Sequence, residues 1–88
     1  MQKDTYKLEV AAHVDKIFLK LKKKDPKQLR IISSKICQIM ENPEHFKPLR
    51  GDLSGARRAH IDKSFILIYE FKNSTVRILD YGHHDEIY

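Results

Sequence analysis

The sequence has one cysteine, three glycines and three prolines in 88 residues. A lone Cys37 cannot close an internal disulfide, and no second Cys stands at zinc-finger spacing from a His, so neither a disulfide framework nor a structural zinc site is expected. So little Gly and Pro excludes a low-complexity chain, and no internal repeat is present. Apolar runs extend over a few residues only, and Met1-Gln2-Lys3-Asp4 has no apolar stretch behind it. The chain therefore offers no membrane span and no signal peptide, and reads as cytoplasmic with no membrane partner. Negative charge is also scarce: 12 acidic against 17 basic residues leave a net charge of +5, before five histidines that titrate near neutrality. An anionic partner follows as the expectation. What is there, 41% hydrophobic and 33% charged residues, suffices for one small domain over residues 1–88 and not for two.

Residues 5–10 alternate polar and apolar, with Tyr6, Leu8 and Val10 on one face, which predicts a short strand suited to a sheet edge. From Ala11 the period changes. Val10, Val14, Ile17, Phe18 and Leu21 fall on one face of a helix that ends near Lys24. Asp25-Pro26 restarts the chain as a second helix, because Asp caps well and the missing N–H of Pro costs nothing at the first helical position. Leu29, Ile32, Ile36, Ile39 and Met40 form its stripe, and Asn42-Pro43 stops it. Residues 44–55, with Pro48, Gly51 and Gly55, predict a loop. Residues 57–62, 65–71 and 75–81 are rich in β-branched and aromatic side chains and are parted by Lys63-Ser64 and Asn73-Ser74, as three antiparallel strands in a meander would be. The middle run is apolar on both faces, as in a strand covered on each side. The predicted fold is α+β, in the order β-α-α-β-β-β, with a helical hairpin on one face of a small, mainly antiparallel sheet and the other face available for function.

Candidate chemistry collects in three places. Lys16, Lys20, Lys23 and Lys24 line the outer face of the first helix, a solvated face or a contact for phosphates or an acidic partner. Lys47, Arg50, Arg57, Arg58 and Lys63 concentrate in the loop and the strand it enters, where alternation puts Arg58 and His60 on a face away from Ala59 and Ile61. That pairing of a cation with a histidine suits a phosphodiester. The last seven residues, Gly82 to Tyr88, hold His83, His84, Asp85, Glu86 and a terminal Tyr88 able to stack on a base. On an extended chain adjacent histidines point apart, so one of the two is expected to face a site. A metal reading would draw on His60, His84 and Asp85, but no spacing here is diagnostic of one. His13 and His45 read as surface histidines, and Cys37 as a small core residue.

Four segments also resemble a known family. Lys22-Lys23-Lys24-Asp25-Pro26, the run Lys47-Pro48-Leu49-Arg50-Gly51-Asp52-Leu53-Ser54-Gly55, Arg57-Arg58-Ala59-His60-Ile61 leading to Phe65-Ile66-Leu67-Ile68-Tyr69, and Gly82-His83-His84-Asp85-Glu86-Ile87-Tyr88 resemble, in order and interval, the RelE/ParE superfamily of toxin–antitoxin toxins. The likeness spans nearly the whole chain and is greatest to the YafQ-like branch. It implies a RelE-like fold and a ribosome-dependent mRNA interferase, an endoribonuclease that cuts mRNA in the A site without a metal or other cofactor and so inhibits translation. His60 matches the strand histidine of that branch, His84 its C-terminal histidine, and Tyr88 its C-terminal aromatic. Lys47 falls where that branch has a loop histidine, Arg58 where it has an acidic residue, and Ser64 where it is acidic, while Ile66 takes a position that is Arg in RelE.

Metal-free RNA cleavage needs a base for the 2′-hydroxyl, cations for the phosphate and an acid for the departing 5′-oxygen. Histidine, with a reference pKa of about 6.5, can fill either proton-transfer role. The expected catalytic set is His84 as acid, His60 as base or orienting group, Arg58 as phosphate clamp and Tyr88 holding RNA, with acid and base exchangeable. Lys47, Arg50, Arg57, Lys63 and His83 are expected to bind RNA. The implied partners are the ribosome, mRNA and a RelB-like, acidic, partly disordered antitoxin. Two other readings share the fold: a ParE-like inhibitor of DNA gyrase, and an inactive relative that only binds its antitoxin.

Overall fold

The structure, a computed structural model, describes residues 6–46 and 55–87. Its elements run β1 (Lys7–Val10), α1 (Ala12–Lys24), α2 (Pro26–Glu41), β2 (Ala56–Ile61), β3 (Phe65–Lys72), β4 (Thr75–His83) and α3 (His84–Ile87). The four strands form one sheet in the order β1-β4-β3-β2, with β1 parallel to β4 and the other pairs antiparallel. This is the α+β arrangement expected, and β1 takes the sheet edge as its pattern predicts. No helix among the described residues is long and apolar enough to cross a membrane.

A single residue joins the two long helices. Asp25 ends α1, its N–H donating to the Leu21 carbonyl at 2.8 Å, and caps α2, its Oδ1 accepting from the Gln28 N–H at 3.1 Å. Pro26 follows at the first helical position, and Lys22, Lys23 and Lys24 lie where the negative end of the α1 dipole favours cations. The helices press Val14, Ile32 and Ile39 onto Ala59, Ile61, Leu67, Tyr69, Val76, Ile78 and Tyr81. Each fully buried aliphatic side chain in that layer contributes about 1.5–3 kcal/mol. Leu8, placed by alternation with the core-facing residues, instead stays 44% exposed on the edge strand.

β3 is buried on both sides, as its double-sided pattern requires. Phe65, Leu67 and Tyr69 face the helices, whereas Ile66 and Ile68 join Ala56 and Leu79 in a second cluster on the opposite face. On β4 a bulge interrupts the alternation: Tyr69 pairs with Ile78 but Ile68 pairs with Asp80, so Leu79 is the extra residue. Without it, Ile78 and Tyr81 would lie on opposite faces; with it, both pack under the helices, and Asp80 between them lies 3.3 Å from His13 Nε2 at the start of α1.

The predicted end of the chain needs correction. Strand pairing continues past Tyr81 to Phe65–His83, and the next residue turns into α3 instead of an extended tail, its N–H donating to the Ser64 carbonyl at 2.9 Å. That bond is the last rung of the β3–β4 ladder, so the chain leaves the sheet for α3 directly after its final pairing.

Asn73 and Ser74 connect β3 to β4 with φ of 53° and 60°. Two positive φ values define the hairpin turn whose second position favours Gly, so Ser74 carries a left-handed strain of about 1 kcal/mol. Ser74→Gly should raise the unfolding free energy by about 0.5–1 kcal/mol in urea titrations, and a decrease would show that Ser74 is not strained.

Candidate active site

The outward face of β2 holds Arg58 opposite Ile68 and His60 opposite Ile66, with Asp80 and Gly82 completing those rows on β4. Arg58 and His60 join Lys35, His45 and Phe46 around a cleft of about 480 Å³ at the β2 edge. Four of these five side chains are cationic or can become so, which suits the cleft to a phosphate-bearing chain.

Two side chains build the cleft's far wall by holding the backbone that follows α2. The Tyr69 hydroxyl, fully buried, donates to the Pro43 carbonyl at 2.6 Å. Arg57 Nη1 donates to the carbonyls of Phe46 at 2.8 Å and Glu44 at 3.2 Å. Phe46 stands edge-on to Tyr69, and the Lys35 ammonium lies 5.6 Å from the Phe46 ring centre. Arg57, grouped with the RNA contacts on sequence grounds, thus belongs to the helix-facing side of β2 and spends its guanidinium on the loop. Burial pushes the Tyr69 phenol up to about 12 against a downward pull from Arg57. Tyr81 is likewise raised, by burial first, while its hydroxyl accepts from buried Gln28.

A second group forms where β4 gives way to α3. The His84 Nδ1 is 2.9 Å from Asp85 Oδ1, the His83 Nδ1 is 3.6 Å from Asp85 Oδ2, and the two imidazoles stack with centres 4.6 Å apart. The turn into α3 causes this, overriding the divergence expected of adjacent residues on an extended chain. The Asp85 N–H donates to His83 Nδ1 at 3.2 Å. A carboxylate this close to His84 Nδ1 is placed to orient the ring, as in histidines that transfer protons through the other nitrogen.

His60 and His84 thus belong to two groups rather than one. β3 lies between β2 and β4, so two strand spacings, roughly 10 Å, separate His60 from its row partner Gly82, two residues before His84. Lys63 is exposed in the β2–β3 turn, next to Ser64, at the end of the sheet where α3 begins. Lys47, Arg50 and Tyr88 lie outside the described residues. Lys35 and His45, not singled out for function from the sequence, are brought into the cleft. The Lys35 signal was present: Gln28, Ile32, Lys35 and Ile39 fall at i, i+4, i+7 and i+11, so a lysine occupies the inward stripe of α2.

Comparison with known proteins identifies the family of the chain. The family profile described as "Bacterial toxin of type II toxin-antitoxin system, YafQ" matches residues 5–88. The chain belongs to the YafQ family. It is 45% identical over 85 residues to a candidate toxin of Methanocaldococcus jannaschii named RelE4, covering 94% of this chain and 90% of that one. Among solved structures, YafQ of E. coli BL21(DE3) superposes with a TM-score of 0.74 at 22% identity, covering 99% of each chain. The YoeB/ParE toxin of Agrobacterium tumefaciens reaches 0.80 at 17% identity, covering 89% of this chain and 98% of its own. At those identities the superpositions establish the RelE-like fold alone, while the profile and the archaeal relative establish a type II toxin.

The Tyr69 anchor has a pH signature. Folding raises this phenol from 10 to about 12, so its contribution is complete below pH 10 and is lost as pH rises from 10 towards 12, where the unfolded chain ionises first. Tyr69→Phe should cost about 1–2 kcal/mol at pH 7 by orphaning the Pro43 carbonyl. Over pH 10–12 its stability should fall less steeply than that of the wild type, by about 1.4 kcal/mol per unit at most. Denaturant titrations at several alkaline pH values check this; parallel curves would place the raised phenol elsewhere.

Proposed function

We propose that this YafQ-family toxin is a ribosome-dependent mRNA endoribonuclease that needs no metal, acts in the cytoplasm and is restrained by an acidic antitoxin. The observation that carries the reading is the Asp85 carboxylate 2.9 Å from His84 Nδ1 at the end of β4, where it can orient the imidazole for proton transfer. The cationic cleft supports it from the other side of β3, with Arg58 and His60 on an outward face.

In this reading the RNA backbone spans the two groups. The 2′-hydroxyl loses its proton to His60 and its oxygen attacks the adjacent phosphorus. Arg58 and Lys35 balance the extra negative charge that develops on the phosphoryl oxygens. The bond from phosphorus to the 5′-oxygen breaks, His84 supplies the proton that oxygen takes, and a 2′,3′-cyclic phosphate and a 5′-hydroxyl remain. Exchanging the acid and the base leaves the same products. Tyr88, Lys47, Arg50, Lys63 and His83 serve as RNA contacts, whereas Arg57 acts through the loop it anchors. For comparison, E. coli YafQ has been solved in a complex with DinJ, an antitoxin, and that toxin superposes on this chain with a TM-score of 0.76. A partly disordered acidic partner suits a chain of net charge +5, whose association with it should be fast and salt-sensitive.

Primer extension on mRNA from a translation reaction, run with and without the toxin, tests the reading. Cuts within A-site codons are expected, and His84→Ala should reduce them about 10²- to 10⁴-fold while the variant keeps its circular dichroism spectrum. Full cleavage by that variant would remove His84 from the chemistry. No cleavage by folded wild type, with inhibition of gyrase supercoiling instead, would establish the ParE-like alternative. Lys35→Met should keep the helix and weaken RNA binding about fivefold to tenfold, with a shallower salt dependence in filter binding. An unchanged salt dependence would exclude Lys35 from phosphate contact.

A further inference from the structure

The grouping of His83, His84 and Asp85 has no counterpart among the metal ligands suggested by sequence, which drew His60 in place of His83. One donor atom from each of the three residues lies within 4.8 Å of the other two. We propose that these residues bind a divalent transition cation of the zinc class, and that a cation held there silences the nuclease by occupying His84. The second half rests on the assignment of His84 above; the first does not.

Two imidazoles and a carboxylate are a donor set that zinc accepts, and three protein ligands leave a fourth position open to water. Bonds of about 2.0–2.2 Å in tetrahedral geometry need donors about 3.3–3.5 Å apart. Asp85 already spans the pair, with 2.9 Å to one imidazole and 3.6 Å to the other. The remaining closure is obtained by rotating side chains that are 37%, 46% and 74% exposed, His83 at the end of β4 and His84 and Asp85 at the start of the four-residue α3. The stacked rings must turn so that their lone pairs converge, which the Asp85 N–H bond to His83 resists weakly. The site should therefore bind with moderate affinity and reversibly, as a regulatory site requires.

Selectivity follows from the donors. Magnesium and calcium prefer all-oxygen ligands, so the magnesium that ribosomes need leaves this site empty, whereas zinc seeks imidazole. Zinc on His84 Nδ1 takes the Asp85 carboxylate from the ring and holds the imidazole in its neutral form, so His84 can no longer become the imidazolium that would protonate the 5′-oxygen through Nε2.

The test titrates Zn²⁺ into the full-length toxin against a chromophoric chelator, with Co²⁺ absorption as an independent signature of nitrogen and oxygen ligation. One equivalent should bind, and His83→Ala, His84→Ala and Asp85→Ala should each weaken it at least about tenfold, whereas His60→Ala should not. Binding unaffected by those three substitutions, or no Co²⁺ spectrum, overturns the site. In the translation assay Zn²⁺ should suppress cleavage and a chelator restore it. The zinc concentration needed should rise about tenfold in Asp85→Ala relative to that variant's own zinc-free rate. Continued or enhanced cleavage at saturating zinc overturns the silencing. A wild type that binds zinc as described but never cleaves RNA would retain the site and refute the nuclease reading and the silencing together.

Discussion

β3 is hydrogen-bonded along both edges and buried on both faces, and the whole molecule is registered against it. Its inward residues meet the helices, its outward Ile66 and Ile68 sit beneath the strand positions of His60 and Arg58, and its Tyr69 hydroxyl holds the backbone after α2. A strand so constrained cannot slip, because a shift of one residue would exchange its two faces and put charge beneath the helices. The positions of the candidate functional groups are thus consequences of packing, fixed before any substrate arrives.

The bulge at Leu79 carries that constraint to the end of the chain. It returns Tyr81 to the core after Ile78, and so sets the face on which His83 leaves the sheet beside Phe65. The Ser64 carbonyl accepts from the His84 N–H, closing the β3–β4 ladder at the Phe65–His83 pair, and the chain turns into α3 beyond it. Neither device can be read from alternation, which assumes an unbroken period of two. That is why the strands, the Asp25-Pro26 join and the opposed faces of Ala59 and His60 were legible in the sequence, whereas the meeting of His83 with His84 was not. The anchoring by Arg57 was hidden for a related reason: composition counts a cation but not its partners, here carbonyls of a loop distant in sequence. Lys35 was legible in principle, as a lysine on the inward stripe of a helix, because long charged side chains reach past apolar neighbours to a polar edge.

Splitting the candidate machinery across β3 has a chemical consequence. The base and the acid must reach two oxygens on one phosphorus, so the side chains of His60 and His84 would have to converge across the roughly 10 Å of sheet between the backbone of His60 and that of Gly82. An RNA segment lying across β3 would supply the intervening atoms. The site would then be completed by its substrate, and mRNA held in an extended form by a ribosome would have less conformational entropy to lose on crossing that gap than free RNA. The ribosome dependence proposed above would fit such a layout.

Asp85 stands at the point where these arguments conflict. A carboxylate beside one imidazole nitrogen can orient the ring for proton transfer through the other nitrogen, and the same carboxylate with a second imidazole at hand is most of a zinc site. Exposure decides how the conflict is resolved. A buried Asp85 would be rigid, and the two uses would exclude each other permanently in favour of one. At 74% exposure the carboxylate exchanges between partners at little cost, so the local cation concentration selects which use prevails. Replacing Asp85 by a residue that still accepts from His84 but ligates poorly would separate the two, and the His83 imidazole, free of its carboxylate, would then have no part in controlling its neighbour.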